Sequence, residues 1–262
     1  MLEARSVTAG YGELPVLQGL SAAFARGRVT ALVGPNGCGK STLLKAIMGF
    51  VPVSAGDIAL ENQAIRGLAR RTLAQRLSYL PQESHCPDYM TLGELIELAA
   101  HARYTLAGGP SEKDRALFRQ SLEIVGLKDK AHCQVNALSG GQRQRAFIAM
   151  VLAQDTEVIL MDEPVNHLDI KYQYAVLGLI RELSVRHGKT IVVVLHDLNL
   201  AAAFADDVVM LRAGRVVAAG PVASTITETT IARVFDLETE VFVRDGRLVC
   251  LPQIRLQETA AA

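Results

Sequence analysis

The sequence predicts an α/β fold in which a parallel sheet carries a phosphate-binding loop, together with an antiparallel β subdomain and a helical insert. Three observations support this prediction. An apolar run at residues 29–33 leads through a glycine-rich loop into a helix-forming segment. Strand and helix patterns alternate again at residues 158–211, which is typical of a parallel sheet covered by helices on both faces. Between these two parts the pattern is mainly helical.

The amino-terminal part contains β-type runs at residues 2–8, 22–25 and 29–33. The first two are predicted to be antiparallel, because the turn-rich segment 9–12 separates them. The third is apolar throughout, as expected of a buried parallel strand, and a helix is predicted at residues 40–48.

The helical insert is predicted at about residues 83–137. Within it, residues 91–103 and 113–125 have apolar side chains at three-to-four spacing, as amphipathic helices do. The segment 107–111 contains Gly and Pro and is expected to separate the two helices.

Alternating elements follow the insert. Ser139 is expected to be the N-cap of a helix that runs to about residue 154. The later strands are predicted at residues 158–162, 190–195 and 208–211, and the later helices at residues 170–185 and 198–205. The tail is expected to contain a short helix at 229–235 and strands at 241–243 and 247–251. We therefore expect one domain at residues 1–220 and a short carboxy-terminal extension at 221–262.

Composition narrows the classes of function. The chain has 262 residues, of which 50% are hydrophobic, enough to bury a full core. With 27 basic and 27 acidic residues the formal net charge is zero, so no basic field favours nucleic acid as a partner.

The first residues do not have the pattern of a signal peptide, and no apolar stretch reaches the roughly 20 residues of a membrane-spanning helix. Any role at a membrane is therefore expected to depend on a partner. The four cysteines are scattered without a CxxC pair, which favours a reduced, cytosolic protein without structural disulfides or zinc.

A phosphate-binding loop follows the strand at residues 29–33. It matches the Walker A pattern G-x-x-x-x-G-K-[ST] and consists of Gly34, Pro35, Asn36, Gly37, Cys38, Gly39, Lys40 and Ser41. Its glycines allow backbone N–H groups to turn inward around a phosphate, and the following helix N-terminus adds positive potential. Lys40 is expected to reach the β- and γ-phosphates of ATP and Ser41 to bind Mg²⁺, with Thr42 as a further nucleotide contact. The alternative is a plain glycine turn into a helix.

Two acids, Asp162 and Glu163, end the apolar run that starts at Val158. A buried strand end is a costly place for two carboxylates unless they serve a cation or a proton transfer. We expect Asp162 to hold Mg²⁺ directly or through water, as in a Walker B motif. Glu163 is expected to orient and deprotonate the attacking water. The alternative is a strand that ends in a solvated acidic turn.

His196 ends the next apolar strand, ahead of Asp197. A single His at a strand end is often a structural hydrogen-bonding group. Because parallel strands converge on a ligand at their carboxyl ends, we expect His196 to contact the γ-phosphate.

A second phosphate cradle is predicted at the pentapeptide Leu138, Ser139, Gly140, Gly141 and Gln142. It offers a Ser hydroxyl, backbone N–H groups and a helix N-terminus. The alternative is a Ser-capped helix after a flexible loop.

With the phosphate loop, this pentapeptide makes the chain resemble the ATPases of the ABC family over about residues 1–220, since it matches their signature motif. The resemblance implies a P-loop NTPase core of the ABC cassette type. In that family the signature of one subunit covers the γ-phosphate bound to the other subunit. The resemblance therefore implies a head-to-tail homodimer that binds two ATP molecules.

Other positions match the ABC family in the expected order. Tyr11 lies where these proteins carry an aromatic side chain that stacks on adenine. Gln82 matches the Q-loop glutamine, a Mg²⁺ and water ligand that also senses the transmembrane partner. Residues 166–169 match the D-loop, which crosses the dimer interface, and Asp169 could also cap the next helix.

A narrower resemblance is to the ATPases that drive import of ferric siderophores, haem and vitamin B12. Residues 143–155, 168–170 and 195–199 support it. It implies a peripheral protein on the cytoplasmic face of the cell membrane, bound to two transmembrane permease subunits and indirectly served by a periplasmic substrate-binding protein. Among the substrates, ferric siderophore is favoured by this resemblance, and haem and vitamin B12 remain open.

Two other functions remain as alternatives. ABC ATPases of translation or DNA repair usually contain two cassettes or a long coiled-coil insert, whereas this chain has one cassette and an insert of ordinary size. A P-loop kinase or other metabolic NTPase is disfavoured by the signature pentapeptide and the D-loop.

The chain departs from the common ABC pattern at Cys38, where Ser is commoner, and at Val165, where Thr is usual. Cys38 lies close to Lys40 and to a helix N-terminus, two features that favour a reactive thiolate. The alternative is that its thiol is a small, inert apolar filler.

A groove for the membrane partner is expected between Gln82 and Arg103. His85, Tyr89 and Met90 are candidates for its surface, because an adaptable Met and an amphipathic Tyr suit the binding of a helix. The alternative is that these side chains only pack the insert.

Overall fold

The computed structural model describes residues 1–12, 14–104, 108–166 and 168–253. Its strands are β1 (Leu2–Tyr11), β2 (Leu14–Phe24), β3 (Val29–Val33), β4 (Val53–Leu60), β5 (Gln63–Ala64), β6 (Leu77–Leu80), β7 (Val158–Met161), β8 (Thr190–Val194), β9 (Asp207–Arg212), β10 (Arg215–Pro221), β11 (Thr239–Arg244) and β12 (Arg247–Pro252). Its α-helices are α1 (Lys40–Ile47), α2 (Arg70–Arg76), α3 (Leu92–Ala99), α4 (Glu112–Ile124), α5 (Gly140–Ala153), α6 (Ile170–His187), α7 (Leu198–Phe204), α8 (Val222–Thr225) and α9 (Glu228–Phe235). Short 3₁₀ helices lie at His101–Arg103, Lys128–Lys130 and Val135–Ala137.

The central sheet has the strand order β10-β9-β3-β8-β7-β6. Every residue of β3 and β8 is buried, as apolar and largely β-branched strands can be when both faces of a sheet are covered. The strands from β9 through β6 are parallel, and β10 is antiparallel to β9. The predicted parallel sheet is confirmed, and the carboxyl ends of β3, β8, β7 and β6 lie along one edge.

Strand β8 shows how the central sheet divides the core. Ile191 and Val193 belong to the apolar cluster formed with α5, α6 and the helical insert. Val192 and Val194 belong to the cluster formed with α1 and the amino-terminal sheet. Successive side chains of a strand point to opposite faces, so this one sheet supports two apolar cores.

The amino-terminal sheet has the order β2-β1-β4-β5, with antiparallel pairing throughout. The predicted antiparallel pair is confirmed, but its second strand starts at Leu14 rather than at residue 22. The prediction missed the first part of this strand because Pro15 and Gly19 are uncommon within strands. Pro15 is tolerated because β2 is an edge strand, and Gly19 has a φ of 62° beside an irregularity in the pairing with β1.

Several elements were not predicted, namely β4, β5, α2, β10 and α8. Strand β4 contains Gly56 and Asp57, residues that are uncommon in strands. Gly56 is required where β4 passes β1, because a Cβ there would lie 2.2 Å from the carbonyl oxygen of Ser6. The pairing with β1 therefore determines this strand more than its own residues do.

The helical insert contains the two predicted helices, α3 and α4. Each begins with a capping box, Thr91 with Glu94 and Ser111 with Asp114, which satisfies amide groups at the helix start. The first helix ends at Ala99 as an α-helix and continues as a 3₁₀ turn. Residue 107 of the predicted breaker segment lies outside the described residues.

Arg103 ties this insert to α5. Its guanidinium donates to Asp114 at 2.9 Å, to the carbonyl of Ala153 at 2.9 Å and also to the carbonyl of Gln154. Burial tends to raise the pKa of Asp114, but hydrogen bonds from Ser111 and Arg103 hold that pKa below its ordinary value.

The segment after β10 forms α8, α9 and the hairpin β11–β12, which agrees with the predicted helix and strands. Asn199, on α7, accepts a hydrogen bond from the Cys250 N–H at 2.8 Å and donates one to the Cys250 carbonyl at 3.1 Å. Arg212 donates to the carboxylate of Asp236 at 2.8 Å. Strand β10 runs across the proposed boundary at Gly220, and the division of the chain there stays a prediction.

Helices long and apolar enough to span a bilayer do not occur in the described ranges.

Candidate functional site

The glycine-rich loop connects β3 to α1 and requires glycine at two of its positions. Gly34 has a φ of 154°, and a Cβ there would lie 2.2 Å from the carbonyl oxygen of Leu211. Gly39 has a φ of 107° and precedes α1 without a side-chain capping bond among the described residues. The first amide groups of α1 are therefore available to an anion in the cavity beside the loop.

Lys40 lies inside this loop and is only 5% exposed. Its ammonium group donates to the carbonyls of Gly34 at 2.8 Å and Pro35 at 3.0 Å. A buried ammonium group needs such partners, and here they hold a positive charge at the edge where the parallel strands end.

Asp162 and Ser41 form the candidate metal site. The Ser41 hydroxyl donates to one carboxylate oxygen of Asp162 at 2.9 Å, and the Tyr79 hydroxyl donates to the other at 3.2 Å. Burial raises the pKa of Asp162, although the Ser41 and Tyr79 hydrogen bonds oppose this rise. Burial and the Asp162 charge in turn raise the pKa of Tyr79.

A divalent cation fits these residues. The Asp162 carboxylate is 2% exposed and has no cationic side chain bonded to it within the described ranges, so its charge is poorly compensated. Mg²⁺ prefers carboxylate and hydroxyl oxygens, which Asp162 and Ser41 supply together. Gln82 lines the same cavity as Ser41 and donates to Glu163.

Glu163 lies between three polar side chains. One carboxylate oxygen is 2.6 Å from His196 Nε2. The other accepts hydrogen bonds from Gln82 Nε2 at 2.7 Å and from the Asn166 amide. Glu163 has a φ of 54°, a left-handed conformation that non-glycine residues seldom adopt and that recurs at functional sites.

Asn166 and Tyr79 were not predicted as partners of the two acids. Asn166 was noted only as part of the D-loop, although its position three residues after Glu163 could have suggested the contact. Tyr79 reaches Asp162 because β6 and β7 pair in register, with Tyr79 opposite Leu160.

These side chains surround a cavity of about 720 Å³. It is lined by Val16, Asn36, Gly37, Gly39, Lys40, Ser41, Thr42, Gln82, Glu163, Asn166 and His196. The cavity lies at the carboxyl ends of parallel strands, the usual place for a ligand in such sheets. The structure thus brings Lys40, Ser41, Gln82, Glu163 and His196 together around one cavity, as the sequence predicted. Asp162 is not part of the lining but accepts a hydrogen bond from Ser41.

The signature motif lies elsewhere. Ser139 caps α5, accepting from the Gln142 N–H, while the Gln142 side chain accepts from the Ser139 N–H at 3.1 Å. Ser139 and Gly140 are exposed, and Leu138 is buried. Among the described residues, those of the motif do not line the cavity around Lys40. The two predicted phosphate cradles therefore do not face the same cavity.

Tyr11 and Asp169 are also outside the cavity lining. Tyr11 is 56% exposed at the end of β1, and its phenol contributes to the raised pKa of Tyr79. Asp169 stands at the N-cap position of α6, but its side chain makes no capping hydrogen bond with described residues. His167 of the D-loop lies outside the described residues.

Cys38 does not have the environment that the reactive-thiolate prediction requires. Its side chain is 3% exposed and packs in an apolar cluster with neighbours such as Leu43. Burial raises the pKa of this thiol, and the charge of Lys40 opposes the rise only in part. The expectation of a lowered pKa was wrong, because desolvation outweighs the lysine, and the structure favours the filler interpretation. Val165 is likewise buried among apolar side chains.

A groove of about 320 Å³ lies on the helical insert. It is lined by Tyr89, Met90, Glu94, Glu97, Leu98, Tyr104 and Pro110. Tyr89 is 77% exposed and Leu98 is 55% exposed, so two large apolar side chains border it. His85 is exposed but is not part of this lining.

Comparisons with known proteins agree with the site. The family model described as ABC transporter matches residues 17–166. The chain is 36% identical to the iron(3+)-hydroxamate import ATP-binding protein FhuC of Bacillus subtilis, covering 92% of this chain and 91% of the relative. It is 38% identical to the hemin import ATP-binding protein HmuV of Streptomyces coelicolor, covering 92% of this chain and 86% of the relative. A solved structure of the bacterial ABC transporter cassette MJ0796, described as dimeric, has a TM-score of 0.75 and 29% identity, covering 85% of this chain and 99% of that one.

Proposed function

The chain belongs to the ABC transporter family and is an ATPase, and from this premise we propose that it is the motor subunit of an importer for a metal chelate such as a ferric siderophore. The observation that carries the proposal is the convergence of Glu163, His196 and Gln82 beside a buried Asp162. In the same proposal, two copies act head to tail on two transmembrane permease subunits. The chain would thus lie on the cytoplasmic face of the membrane.

Lys40, Ser41 and Asp162 provide the phosphate-binding half of the site. The Lys40 ammonium and the amide groups of α1 supply positive charge to the phosphates of ATP. Ser41, Asp162 and Gln82 would hold Mg²⁺, which supplies further positive charge against the β- and γ-phosphate oxygens.

Glu163 is proposed as the general base. Its carboxylate can accept a proton from water, and its contacts with His196, Gln82 and Asn166 fix the orientation of both oxygens. His196 is proposed to contact the γ-phosphate, because its imidazole lies just after β8 and beside the Glu163 carboxylate. In this proposal, Glu163 and His196 carry out the hydrolytic step within the cavity of one chain.

The signature motif supports the dimer. Ser139 and the exposed start of α5 form an anion-binding surface that is not used inside one chain. In the head-to-tail arrangement this surface covers the γ-phosphate held by the other subunit. The cassette MJ0796, at 29% identity, is described as dimeric, which favours this arrangement.

The permease contact is proposed at the groove beside Tyr89 and Leu98. Its apolar lining and acidic residues, Glu94 and Glu97, suit an amphipathic helix that carries basic side chains. Such a helix from the permease would contact Tyr89 and Met90, which follow Gln82 of the ATP site by seven and eight residues in the sequence.

The substrate is proposed from the relatives. One is an iron(3+)-hydroxamate import protein, and this favours a ferric chelate. A hemin import protein of comparable identity favours haem as the second candidate.

Uptake by reconstituted vesicles tests the function. The chain would be purified with the membrane protein that accompanies it, and ATP-dependent uptake of a ferric hydroxamate would be compared with uptake of hemin. We expect the ferric hydroxamate to accumulate, and Glu163→Gln to abolish accumulation while Asp129→Asn, an exposed acid, leaves it unchanged. Preferential uptake of hemin would favour the haem alternative, and failure to recover any membrane protein would contradict the importer proposal.

A further inference from the structure

Two segments of the helical insert are joined along their backbones. The groove segment, residues 86–93, contributes Tyr89 and Met90 to the groove. The signature loop, residues 131–139, leads to Ser139. Hydrogen bonds join Val135 N to Met90 O (3.0 Å), Leu92 N to Cys133 O (2.9 Å) and Gly93 N to Ala131 O (2.8 Å). A displacement of the groove segment is therefore transmitted directly to the signature loop.

A polar contact extends this connection toward Ser139. The Asn136 side-chain amide donates to the Asp88 carboxylate at 2.7 Å. The Arg143 guanidinium donates to the carbonyl of Asn136 at 3.2 Å and to that of Leu138 at 3.4 Å. Asp88, Asn136 and Arg143 are called the Asn136 clasp below. The clasp holds both sides of the turn that precedes Ser139.

The clasp also reaches the helix that Ser139 caps. Arg143 lies one turn into α5, and its backbone N–H donates to the carbonyl of Ser139 at 2.8 Å. Leu138, between Asn136 and Ser139, is 5% exposed and anchors the loop in the core. Ser139 thus has little freedom to move independently of Asn136.

The Arg143 side chain is not fully satisfied in this arrangement. Its Nε is buried and has no hydrogen-bond partner among the described residues. An unpaired buried donor is energetically unfavourable. Arg143 therefore holds the signature loop at the cost of one unsatisfied donor.

We propose that the Asn136 clasp is a positioning device that sets Ser139 against the partner's ATP according to where the groove segment lies. This inference rests on the proposed two-chain ATP site and on the proposed docking of a permease at the groove. Asp88, Asn136 and Arg143 are positioning residues, because they act on the phosphate only through Ser139. ATP binding to a single chain does not depend on them, whereas turnover does.

A charge-swap series tests the Asp88–Asn136 contact. Asn136→Asp places two carboxylates in contact, and Asp88→Asn in the same chain restores one amide donor and one carboxylate acceptor. Both positions are exposed, so the variants are expected to fold. We expect Asn136→Asp to lower kcat for ATP by about three- to tenfold, the effect of losing one such hydrogen bond. ATP affinity measured below the concentration of dimer formation should stay within about twofold, and the double variant should recover kcat.

Asp129→Asn is the matched control, since Asp129 is exposed on the same insert and makes no hydrogen bond or ion pair with described residues. It should have normal kcat. Normal turnover in Asn136→Asp would overturn the proposal, as would a loss that Asp88→Asn does not restore. A parallel loss of ATP affinity would show a general structural role and would also overturn it.

The proposed function fails by a different result. If Ser139→Arg keeps full activity, the two-chain site is wrong, whatever the clasp variants do. If a permease in vesicles does not change the ATPase activity of the unmodified protein, the docking proposal is wrong. The charge-swap series in the isolated protein still decides whether the Asn136 clasp controls turnover.

Discussion

Around the glycine loop, Lys40 is 5% exposed and Asp162 is 2% exposed, and hydrogen bonds hold both side chains. Around the signature motif, Ser139 and Gly140 are exposed, and Ser139 makes its side-chain hydrogen bond within its own helix start. Both regions combine glycine with a helix N-terminus, yet within the described part of the chain it is the first that lines the cavity of about 720 Å³. The difference is what the proposed two-chain site requires, in which the first region binds ATP within its own chain and the second acts on the partner's ATP.

The largest effect is expected at the buried half. Glu163→Gln keeps the shape of the side chain and its contacts but removes the proton acceptor. Hydrolysis should fall by about 10²–10⁴-fold, while ATP binding, followed by equilibrium titration, remains. Turnover close to that of the unmodified protein would exclude Glu163 as the base.

The exposed half gives the next largest effect. Ser139→Arg should place a bulky cation where the partner's γ-phosphate would lie, without changing ATP affinity of the single chain. In mixed dimers, Lys40→Ala in one chain and Ser139→Arg in the other damage the same composite site and leave the second intact. Both changes in one chain damage both sites.

The comparison of these two mixed dimers is the measurement. We expect activity in the dimer with split changes and almost none in the dimer with both changes in one chain. Equal activity in the two would mean that the exposed half does not act across a dimer interface.

A smaller effect is expected when the buried Asp162 is replaced and the thermal stability of the protein is measured. Because the pKa of Asp162 is raised in the folded chain, its ionisation costs stability as the pH rises above the ordinary aspartate pKa. Asp162→Asn should raise the melting temperature without Mg²⁺ by about 2–5 °C at neutral pH. The gain should shrink toward pH 4. If Asp162→Asn lowers the melting temperature at neutral pH, the hydrogen bonds from Ser41 and Tyr79 stabilise the fold by more than the burial of the Asp162 carboxylate costs.

The smallest effect concerns Cys38. Since its thiol is buried with a raised pKa, a maleimide should modify the partly buried Cys86 and Cys133 first in nucleotide-free protein. Cys38→Ser should keep ATPase activity, as backbone amides form the phosphate cradle. Mass spectrometry of labelled protein measures this order, and rapid labelling of Cys38 would restore the reactive-thiol prediction.

The sequence predicted those features that depend on local pattern. Gly34 and Gly39 have positive φ angles that glycine adopts readily, and the glycine-loop pattern predicted both. Ser139 caps α5, as the sequence around it predicted. Strand β2 was shortened in the prediction because Pro15 and Gly19 interrupt it, and only its edge position explains why it forms. β4 likewise depends on its long-range pairing with β1.

The site shows the same division. Lys40 and Ser41 were predicted because the glycine-loop pattern places them at the start of a helix, and Glu163 and His196 because each follows an apolar strand. Gln82 was predicted only from the resemblance to the ABC family. The contact of Tyr79 with Asp162 depends on the register of two strands, which the sequence does not specify. The rise in the Cys38 pKa depends on how completely the core closes around the thiol, and proximity to Lys40 alone predicted the opposite.

The contact between Asn199 and Cys250 has a consequence for how the chain behaves in a crowded solution. β12 is an edge of a two-stranded sheet, and an edge strand with free N–H and carbonyl groups can recruit a strand from another molecule. The Asn199 amide occupies both backbone groups of Cys250 as a neighbouring strand would. A single side chain thus protects the middle of that edge from intermolecular β-pairing and aggregation.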